Sequence, residues 1–407
     1  MKSLKLMALG VLALGLISTT ASAVQTKVYI TGSSAFRTGA INAITDILTA
    51  DGGAPGVASN AGGTNNGVGN WDGSSTVFNF SNTNWLIKCA FQGSASGVQI
   101  VAASTPITIR FLADAATGTS NPDPNIVGGG DLHTADIAFS DVYQATTPFS
   151  DGGVNYNDMT DTLVGIVGFK WMASKNFPYA SNTKTMTPQF ANYLFTTGFA
   201  PLSMLSGVAA DTATLFATGR NPDSGTRYTA ILETKIGLDA SLKQYKPTIS
   251  AGAVTSHVLY PIETINGIST NTAGNSGEVT GAILRGNMTN TLNLGLTDQL
   301  AGSTANYYIT YLSVGDAGTV ITGGGKELNY NGVAWGNTAV ATGQYQFWCG
   351  EHCMWVTDVA GFGGSLVTKI KSYTTASGKL GTGAQKLSDL AVFRDADGGP
   401  IKPGFYP

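Results

Sequence analysis

Apolar positions near the start of the chain follow two spacings, one typical of a strand and one typical of a helix. A short β-type run from Val28 to Ile30 comes first. Apolar residues then recur every four positions, which is the spacing of one helix face: Phe36, Ala40, Ile44 and Leu48. The pattern predicts a strand, a tight turn and a helix, with Ser33 or Ser34 as the N-cap.

The same alternation of strands and helices continues along the chain. A helix is predicted after Thr187, with Thr187 as its cap and Pro188 at its first position. Another runs from the turn at Ser224 to about Glu233, with Gly237 as its C-cap. Predicted strands are "NWLIKCAFQ", "TPITIRFLA", "ADIAFSDVYQ", "DTLVGIVGFKWMAS", "TATLFAT", "SHVLYPIE" and "NYYITYLSVGDAG". Such alternation indicates mainly parallel sheets with helices on both faces.

Several polar segments interrupt this pattern. Residues 52–84 and 114–130 are rich in glycine and asparagine and are predicted to be long loops. Residues 243–250 lack a periodic apolar pattern and contain Pro247, so a linker is predicted there. Residues 322–335 resemble a hairpin region.

Length and composition bound the kind of protein. With 407 residues, two domains are expected, and 43% apolar residues exclude a disordered chain. No basic block exists that could hold nucleic acid. Residues 1–23 have a basic start, an apolar stretch and a small-residue cleavage site at Ala21–Ala23, which predicts a secretory signal peptide. The expected mature chain begins near Val24, contains no membrane-spanning segment and is periplasmic or extracellular.

Cysteine chemistry leaves two interpretations open. Export permits one disulfide plus a free thiol, formed either by Cys349 with Cys353 or by Cys89 with one of them; alternatively, all three are buried small residues. The segment "CGEHC" also adds Glu351 and His352, which raises the question of a metal. Its spacing matches no common zinc site, so packing of the neighbouring aromatic residues at the domain junction is the preferred interpretation.

Three predicted strand-to-helix turns carry clusters of serine and glycine: Gly32 to Phe36, Gly93 to Val98, and Asp223 to Arg227. A helix N-terminus offers unpaired N–H groups and partial positive charge, which attract an anion. Arg220, just before the third turn, adds a permanently charged fork that fits a tetrahedral oxyanion. One such turn alone is an ordinary helix cap, so only the set suggests a site.

In this order, the turns resemble the phosphate-binding proteins of bacterial ABC uptake, which are class II periplasmic binding proteins. The matching segments are "GSSAF", "FQGSASGVQI", "IAFSD", "RNPDSGT" and "GQYQFWCGEH". Together they extend from Tyr29 to His352. Two positions depart from the family pattern: Pro222 stands where the family has aspartate, with Asp223 one place later, and Ala35 replaces a threonine.

The resemblance implies a set of ligand-binding residues: Ser34, Ala35, Phe36, Ser96, Asp141, Arg220, Ser224, Gly225 and Thr226. Asp141 is the informative member of this set. A carboxylate accepts a hydrogen bond from protonated phosphate but opposes fully ionised sulfate. The alternative role for Asp141 is a strand-end cap or an ion pair with Arg220.

The fold implied by the resemblance is α/β and two-lobed, each lobe a mainly parallel sheet flanked by helices. Lobe 1 is expected to hold residues 24–162 and 344–407, and lobe 2 residues 163–343. The implied function is capture of phosphate or a related oxyanion between the lobes by a monomer that serves an ABC permease. No cofactor, metal or catalytic activity is expected, since no catalytic constellation accompanies the turns. The alternative is a structural or interaction protein of the cell surface that retains this fold.

Overall fold

A computed structural model describes residues 24–59, 77–117, 131–238, 242–260 and 279–406 of the chain. The predicted signal peptide lies outside the described residues, as do residues 60–76 and 118–130 of the two predicted loops. Within the described part, helices flank a large mixed sheet. This confirms the predicted α/β class.

The first part of the sheet is built around parallel strands. In this part the strands are β1 Thr26–Gly32, β2 Gly56–Ser59, β3 Val77–Ser81, β4 Trp85–Ala90, β5 Ile109–Phe111, β6 Asp131–His133 and β7 Ile137–Ser140. Strand β1 lies between β4 and β7 and is parallel to both, while β2 and β3 add antiparallel strands at the edge. Strands β5 and β6 form a separate pair. The carboxyl ends of β1 and β7 therefore meet at one edge of the sheet.

Helices α1 Arg37–Gly52 and α2 Ser94–Ala102 follow β1 and β4. The buried positions of α1 include Ala40, Ile44 and Leu48, in agreement with the predicted apolar face. The predicted serine N-cap of α1 is wrong, because Phe36 occupies that position without a side-chain cap. The Ser33 hydroxyl nevertheless accepts a hydrogen bond from the Phe36 N–H, at 3.2 Å.

Strand β8, Thr160–Ala173, belongs to both parts of the sheet. Its first nine residues pair with strand β17, Trp348–Trp355, which inserts between β7 and β8. Its last five residues pair with β15, Asn306–Ser313. One continuous strand thus joins the two parts of the sheet. The boundaries of the two predicted lobes stay a prediction.

The second part of the sheet contains the remaining strands up to β16. They are β9 Thr185–Met186, β10 Phe199–Pro201, β11 Thr214–Ala217, β12 Gln244–Ser250, β13 Ala253–Tyr260, β14 Thr291–Leu292 and β16 Lys326–Tyr330. Strand β11 is parallel to β15. The predicted linker at 243–250 is wrong, since β12 pairs with β13 over its whole length. Pro247 is tolerated there because β12 is an edge strand.

The other helices pack on the sheet. They are α3 Pro188–Thr197, α4 Leu202–Ser206, α5 Gly225–Glu233, α6 Gly281–Met288, α7 Val314–Thr322, α8 Asn337–Ala341 and α9 Phe362–Ser372. Helix α5 ends at Thr234, so the prediction of Gly237 as its C-cap is wrong. The C-terminal segment adds the short strands β18 Ala384–Gln385, β19 Val392–Phe393 and β20 Lys402–Pro403.

The predicted start of α3 is confirmed, and it gives a test of local stability. The Thr187 hydroxyl accepts a hydrogen bond from the Phe190 N–H at 3.2 Å, and Pro188 follows the cap. We expect Thr187→Ala to lower the free energy of unfolding by about 1 kcal/mol, because one helix N–H loses its partner. Urea denaturation measures the loss. The control is Thr196→Ala near the end of the same helix, where the hydroxyl donates back to the Asn192 and Tyr193 carbonyls; an equal loss there would contradict the capping role.

The three cysteines are buried and free. This agrees with the interpretation of Cys89, Cys349 and Cys353 as buried small residues, and not with a disulfide. Among the described residues, no helix is both long and apolar enough to cross a membrane.

Candidate functional site

The first turn is formed where β1 leaves the sheet. Gly32 has φ +108°, and a Cβ there would lie 1.9 Å from the Phe139 carbonyl oxygen, so only glycine fits. The Ser33 N–H donates to that same carbonyl oxygen at 2.7 Å. On its other side Gly32 contacts Gly97 of α2, where a Cβ would lie 2.6 Å from the Gly32 Cα. Backbone contacts thus hold the first turn, β7 and the start of α2 together.

The second turn contacts the arginine turn directly. At the start of α2, the Ala95 N–H donates to the Asp223 carbonyl oxygen at 3.0 Å. A Cβ on Gly93 would lie 2.5 Å from the same oxygen. Asp223 precedes α5, far along the chain from α2. The family resemblance implied ligand-binding residues on both turns, and the structure brings the two turns into contact.

Asp141 lies between the two turns, just after β7. Its carboxylate faces the first residue of α5, since a Cβ on Gly225 would lie 1.5 Å from Asp141 Oδ1. Asp141 is 1% exposed, and Oδ1 has no hydrogen-bond partner among the described residues. Burial raises the pKa of Asp141 to about 6, although a hydrogen bond with Ser94 and the charge of Arg220 oppose the rise. A buried carboxylate therefore sits against a helix N-terminus.

The arginine turn begins helix α5 as the sequence predicted. Ser224 is the N-cap, and its hydroxyl accepts a hydrogen bond from the Arg227 N–H at 3.3 Å. Gly225 and Thr226 are the first two helical residues and are buried. Their position gives the start of α5 the N–H groups and the partial positive charge that attract an anion.

Arg220 is held by its backbone, and its side chain is buried. Its carbonyl oxygen accepts hydrogen bonds from Arg227 Nη1 at 3.3 Å and Gln244 Nε2 at 3.2 Å. Its N–H donates to the Tyr311 hydroxyl at 3.4 Å. The Arg220 side chain reaches α6, where a Cβ on Gly281 would lie 3.2 Å from Nη1. Nε is buried with no hydrogen-bond partner in the described part of the chain.

The remaining predicted residues differ in how the structure places them. Ser34 and Ala35 are half-buried in the first turn. Phe36 is a core residue whose ring lies 5.9 Å from that of Phe139, and its N–H is bonded to Ser33. Ser96 is buried in α2, and its hydroxyl makes no hydrogen bond to any described residue.

Sequence reasoning missed four residues of this region: Arg227, Gln244, Tyr311 and Glu351. Arg227 was inside the third turn but was assigned no role; it is fully buried, and its Nε and Nη2 find no partner in the described residues. Gln244 was inside the segment interpreted as a linker. Glu351 was considered only as a metal ligand. The chain contains few charged residues. A charged residue within a predicted turn or strand was therefore the available signal for Arg227 and Glu351.

The segment "CGEHC" lies within strand β17, which directs its polar side chains to different neighbours. Glu351 Oε2 accepts a hydrogen bond from the Ser33 hydroxyl at 3.3 Å, whereas His352 Nδ1 lies 2.7 Å from Asp161 Oδ1. In the described part of the chain, no three histidine, cysteine, aspartate or glutamate residues are grouped so that they could hold a metal ion.

Comparison with solved structures finds divergent neighbours. An ABC-type phosphate transport receptor from Vibrio cholerae is 11% identical, with a TM-score of 0.43 over 87% of this chain and 96% of that chain. A putative phosphate ABC transporter substrate-binding protein with bound phosphate from Clostridium perfringens is 9% identical, with a TM-score of 0.44 over 89% of this chain and 99% of that chain. A phosphate-binding protein from Stenotrophomonas maltophilia is 13% identical, with a TM-score of 0.39 over 86% of this chain and 85% of that chain. No protein-family model matches the chain, and a search of curated proteins gives no match.

Proposed function

We propose that this chain is an exported solute-binding protein that captures phosphate or a related tetrahedral oxyanion where its turns meet. The observation that carries the proposal is the buried Arg220 guanidinium, whose charge acts on Asp141, the carboxylate that lies against the start of α5. Arg220 Nε is buried without a partner in the described residues. Buried polar groups normally have partners, so an unpaired guanidinium nitrogen is accounted for by a ligand.

The proposed ligand contacts come from all three turns. The first turn contributes Ser34, Ala35 and Phe36, and the second turn contributes Ser96. Arg220, Ser224, Gly225 and Thr226 supply charge, hydroxyls and N–H groups at the start of α5. The Phe36 N–H already donates to Ser33; the other groups are donors, as an oxyanion requires, whereas Asp141 is an acceptor. One acceptor among donors favours an anion that carries a proton, such as hydrogen phosphate over sulfate.

The biological role follows from the proposed ligand and the predicted leader. A signal peptide at residues 1–23 implies a periplasmic or extracellular protein. Residues 24–162 with 344–407, and residues 163–343, form the two proposed lobes. A monomer of this form would deliver its anion to an ABC permease. It would bind and release the anion without chemical change, so the proposal is a non-enzymatic role.

A second function is favoured by the direct contact between the second turn and Asp223. Here an N–H group at the start of α2 donates to a carbonyl oxygen of the protein itself. That N–H group is therefore occupied and does not bind a ligand. A structural or interaction protein of the cell surface would keep the fold and use these groups internally. It would show no affinity for oxyanions.

Ligand binding and its selectivity can be measured together. We expect phosphate at about 100 times its Kd to stabilise the mature protein by about 2.7 kcal/mol, seen as a rise in Tm, with heat released or absorbed in titration calorimetry.

Asp141→Asn should narrow the preference for phosphate over sulfate by about tenfold or more, because the repelling charge is removed. The control is Asp395→Asn at the exposed ion pair with Lys402. No response of the wild type to phosphate, sulfate, molybdate or tungstate would favour the interaction protein.

A further inference from the structure

Glu351 is a second buried carboxyl group beside Asp141. In the antiparallel pairing of β17 with β7, His352 lies opposite Ser140, so the next positions in register are Glu351 and Asp141. On its other side Glu351 pairs with Gly165 of β8, and the register shifts between Glu351 and His352. The extra residue of this bulge is Val164 of β8, and bulges are common next to functional sites. The register with β7 therefore places Glu351 beside Asp141, at the end of β7.

The surroundings of Glu351 contain few hydrogen-bond donors. Its side chain is fully buried, Oε2 accepts one hydrogen bond from Ser33, and Oε1 has no partner among the described residues. Ser33 belongs to the first turn, so the carboxyl group lies directly beneath the candidate anion site. An ionised carboxylate with one donor and no cation is strongly disfavoured in such a place.

Asp141 and Glu351 differ in what stabilises their charge. Asp141 has the Ser94 hydroxyl and the positive charge of Arg220. For Glu351, burial and the neighbouring charge of Asp141 raise the pKa well above its usual value, and the bond from Ser33 opposes them. Two carboxyl groups in one buried site cannot both ionise readily. The proton accordingly resides on Glu351, and Asp141 carries the charge.

Other titratable groups nearby do not supply the missing charge. On β17 itself, Cys349 and Cys353 are buried thiols whose pKa is raised by burial. His352 is engaged with Asp161 of β8. Asp397, from the C-terminal segment, accepts hydrogen bonds from the Tyr143 N–H and the Thr146 hydroxyl. Arg227 is also buried in this region, but the charge that shifts the pKa of Glu351 is that of Asp141, and the positive charge of Arg220 acts on Asp141.

We propose that Glu351, in its neutral form, is a specificity-determining residue of the candidate anion site, an inference that rests on the proposed function. Because the Glu351 carboxyl group is neutral, the negative charge beneath the anion is that of Asp141 alone. Asp141 then remains the acceptor for the ligand's proton. The site thereby binds an oxyanion that carries a proton. Ionisation of Glu351 would cause that anion to dissociate.

The protonation of Glu351 can be tested without any ligand. Infrared difference spectra of the wild type and Glu351→Gln at neutral pH should contain the C=O stretch of a buried protonated carboxyl group that the variant lacks. Glutamine preserves the size and the polar atoms, so the variant is expected to fold. Absence of this band from the difference spectrum would overturn the proposal, whether or not phosphate binds.

The functional consequence is tested by titration calorimetry with phosphate across the alkaline pH range. As pH rises through the pKa of Glu351, a second negative charge appears, and wild-type affinity should fall by about tenfold or more, beyond the change caused by phosphate ionisation. Glu351→Gln should bind within about threefold of the wild type at neutral pH and lack the additional fall, since a shift of one pKa unit corresponds to tenfold. Identical pH profiles for the two proteins would overturn the proposal. Failure of both proteins to bind phosphate would instead contradict the proposed function.

Discussion

Replacing Arg220 with alanine is expected to weaken phosphate binding by about 30-fold or more. The guanidinium is buried, and it is the cation whose charge acts on Asp141. Without it, the start of α5 retains its donors and Arg227, but the site loses the positive charge that acts on Asp141, beside an anion that has lost its water. Removing one partner of a buried charge pair typically costs about 2–5 kcal/mol. Titration calorimetry on the mature protein measures the change.

Two further variants distinguish the effect of the Arg220 charge from the effect of its planar guanidinium group and from the loss of a cation elsewhere. Lys379→Ala removes an exposed cation that pairs with Asp46, away from the turns, and should leave affinity unchanged. Arg220→Lys keeps the charge but loses the planar fork and should fall between the wild type and alanine. Phosphate affinity that is the same in Arg220→Ala and the wild type would contradict the proposed site.

Replacing Gly93 with alanine is expected to lower the free energy of unfolding by about 2–6 kcal/mol. Gly93 has φ +127°, a backbone conformation that costs other residues about 1–3 kcal/mol. The added Cβ would also lie 2.5 Å from the Asp223 carbonyl oxygen and 3.1 Å from its carbon. Backbone atoms cannot rotate away, so the second turn and the arginine turn must separate, at a cost typical of overpacking of about 1–3 kcal/mol.

Gly152 offers a matched control for the backbone conformation. It also has positive φ, +71°, but a Cβ there meets no atom within 4 Å. Gly152→Ala should therefore lose only the conformational part, about 1 kcal/mol. Urea denaturation of both variants gives the difference, which combines the contact between the turns with the higher conformational cost at Gly93. Equal losses would mean that this contact contributes nothing.

Elements with local signals were predictable from the sequence. Thr187 and Pro188 start α3 because a hydroxyl cap and a fixed φ act within one turn. Ser224 caps α5 for the same reason. The order of the serine and glycine turns also indicated which distant segments face each other. In these places local preference and the final fold agree.

Elements that depend on distant partners were missed. Strand β12 has no apolar alternation, and it is a strand because β13 pairs with it. Strands β2 and β3 lie within the predicted loop at 52–84, where β3 pairs with β4 and β2 pairs with β3. The predicted strand "NYYITYLSVGDAG" divides at Ser313, which caps α7. Of the candidate site, Glu351 could not be assigned from the sequence, since its neighbour Asp141 is about 210 positions earlier.

The insertion of β17 between β7 and β8 has a consequence for the order of folding. Its partners β7 and β8 lie at Ile137–Ser140 and Thr160–Ala173, about 180 to 220 positions earlier in the chain. During synthesis, both strands must wait with unpaired edges until Trp348–Trp355 has been made. Open edges of apolar strands are sites of mispairing between chains. A nascent chain that ends before β17 therefore exposes edges of β7 and β8 that β17 covers in the finished protein.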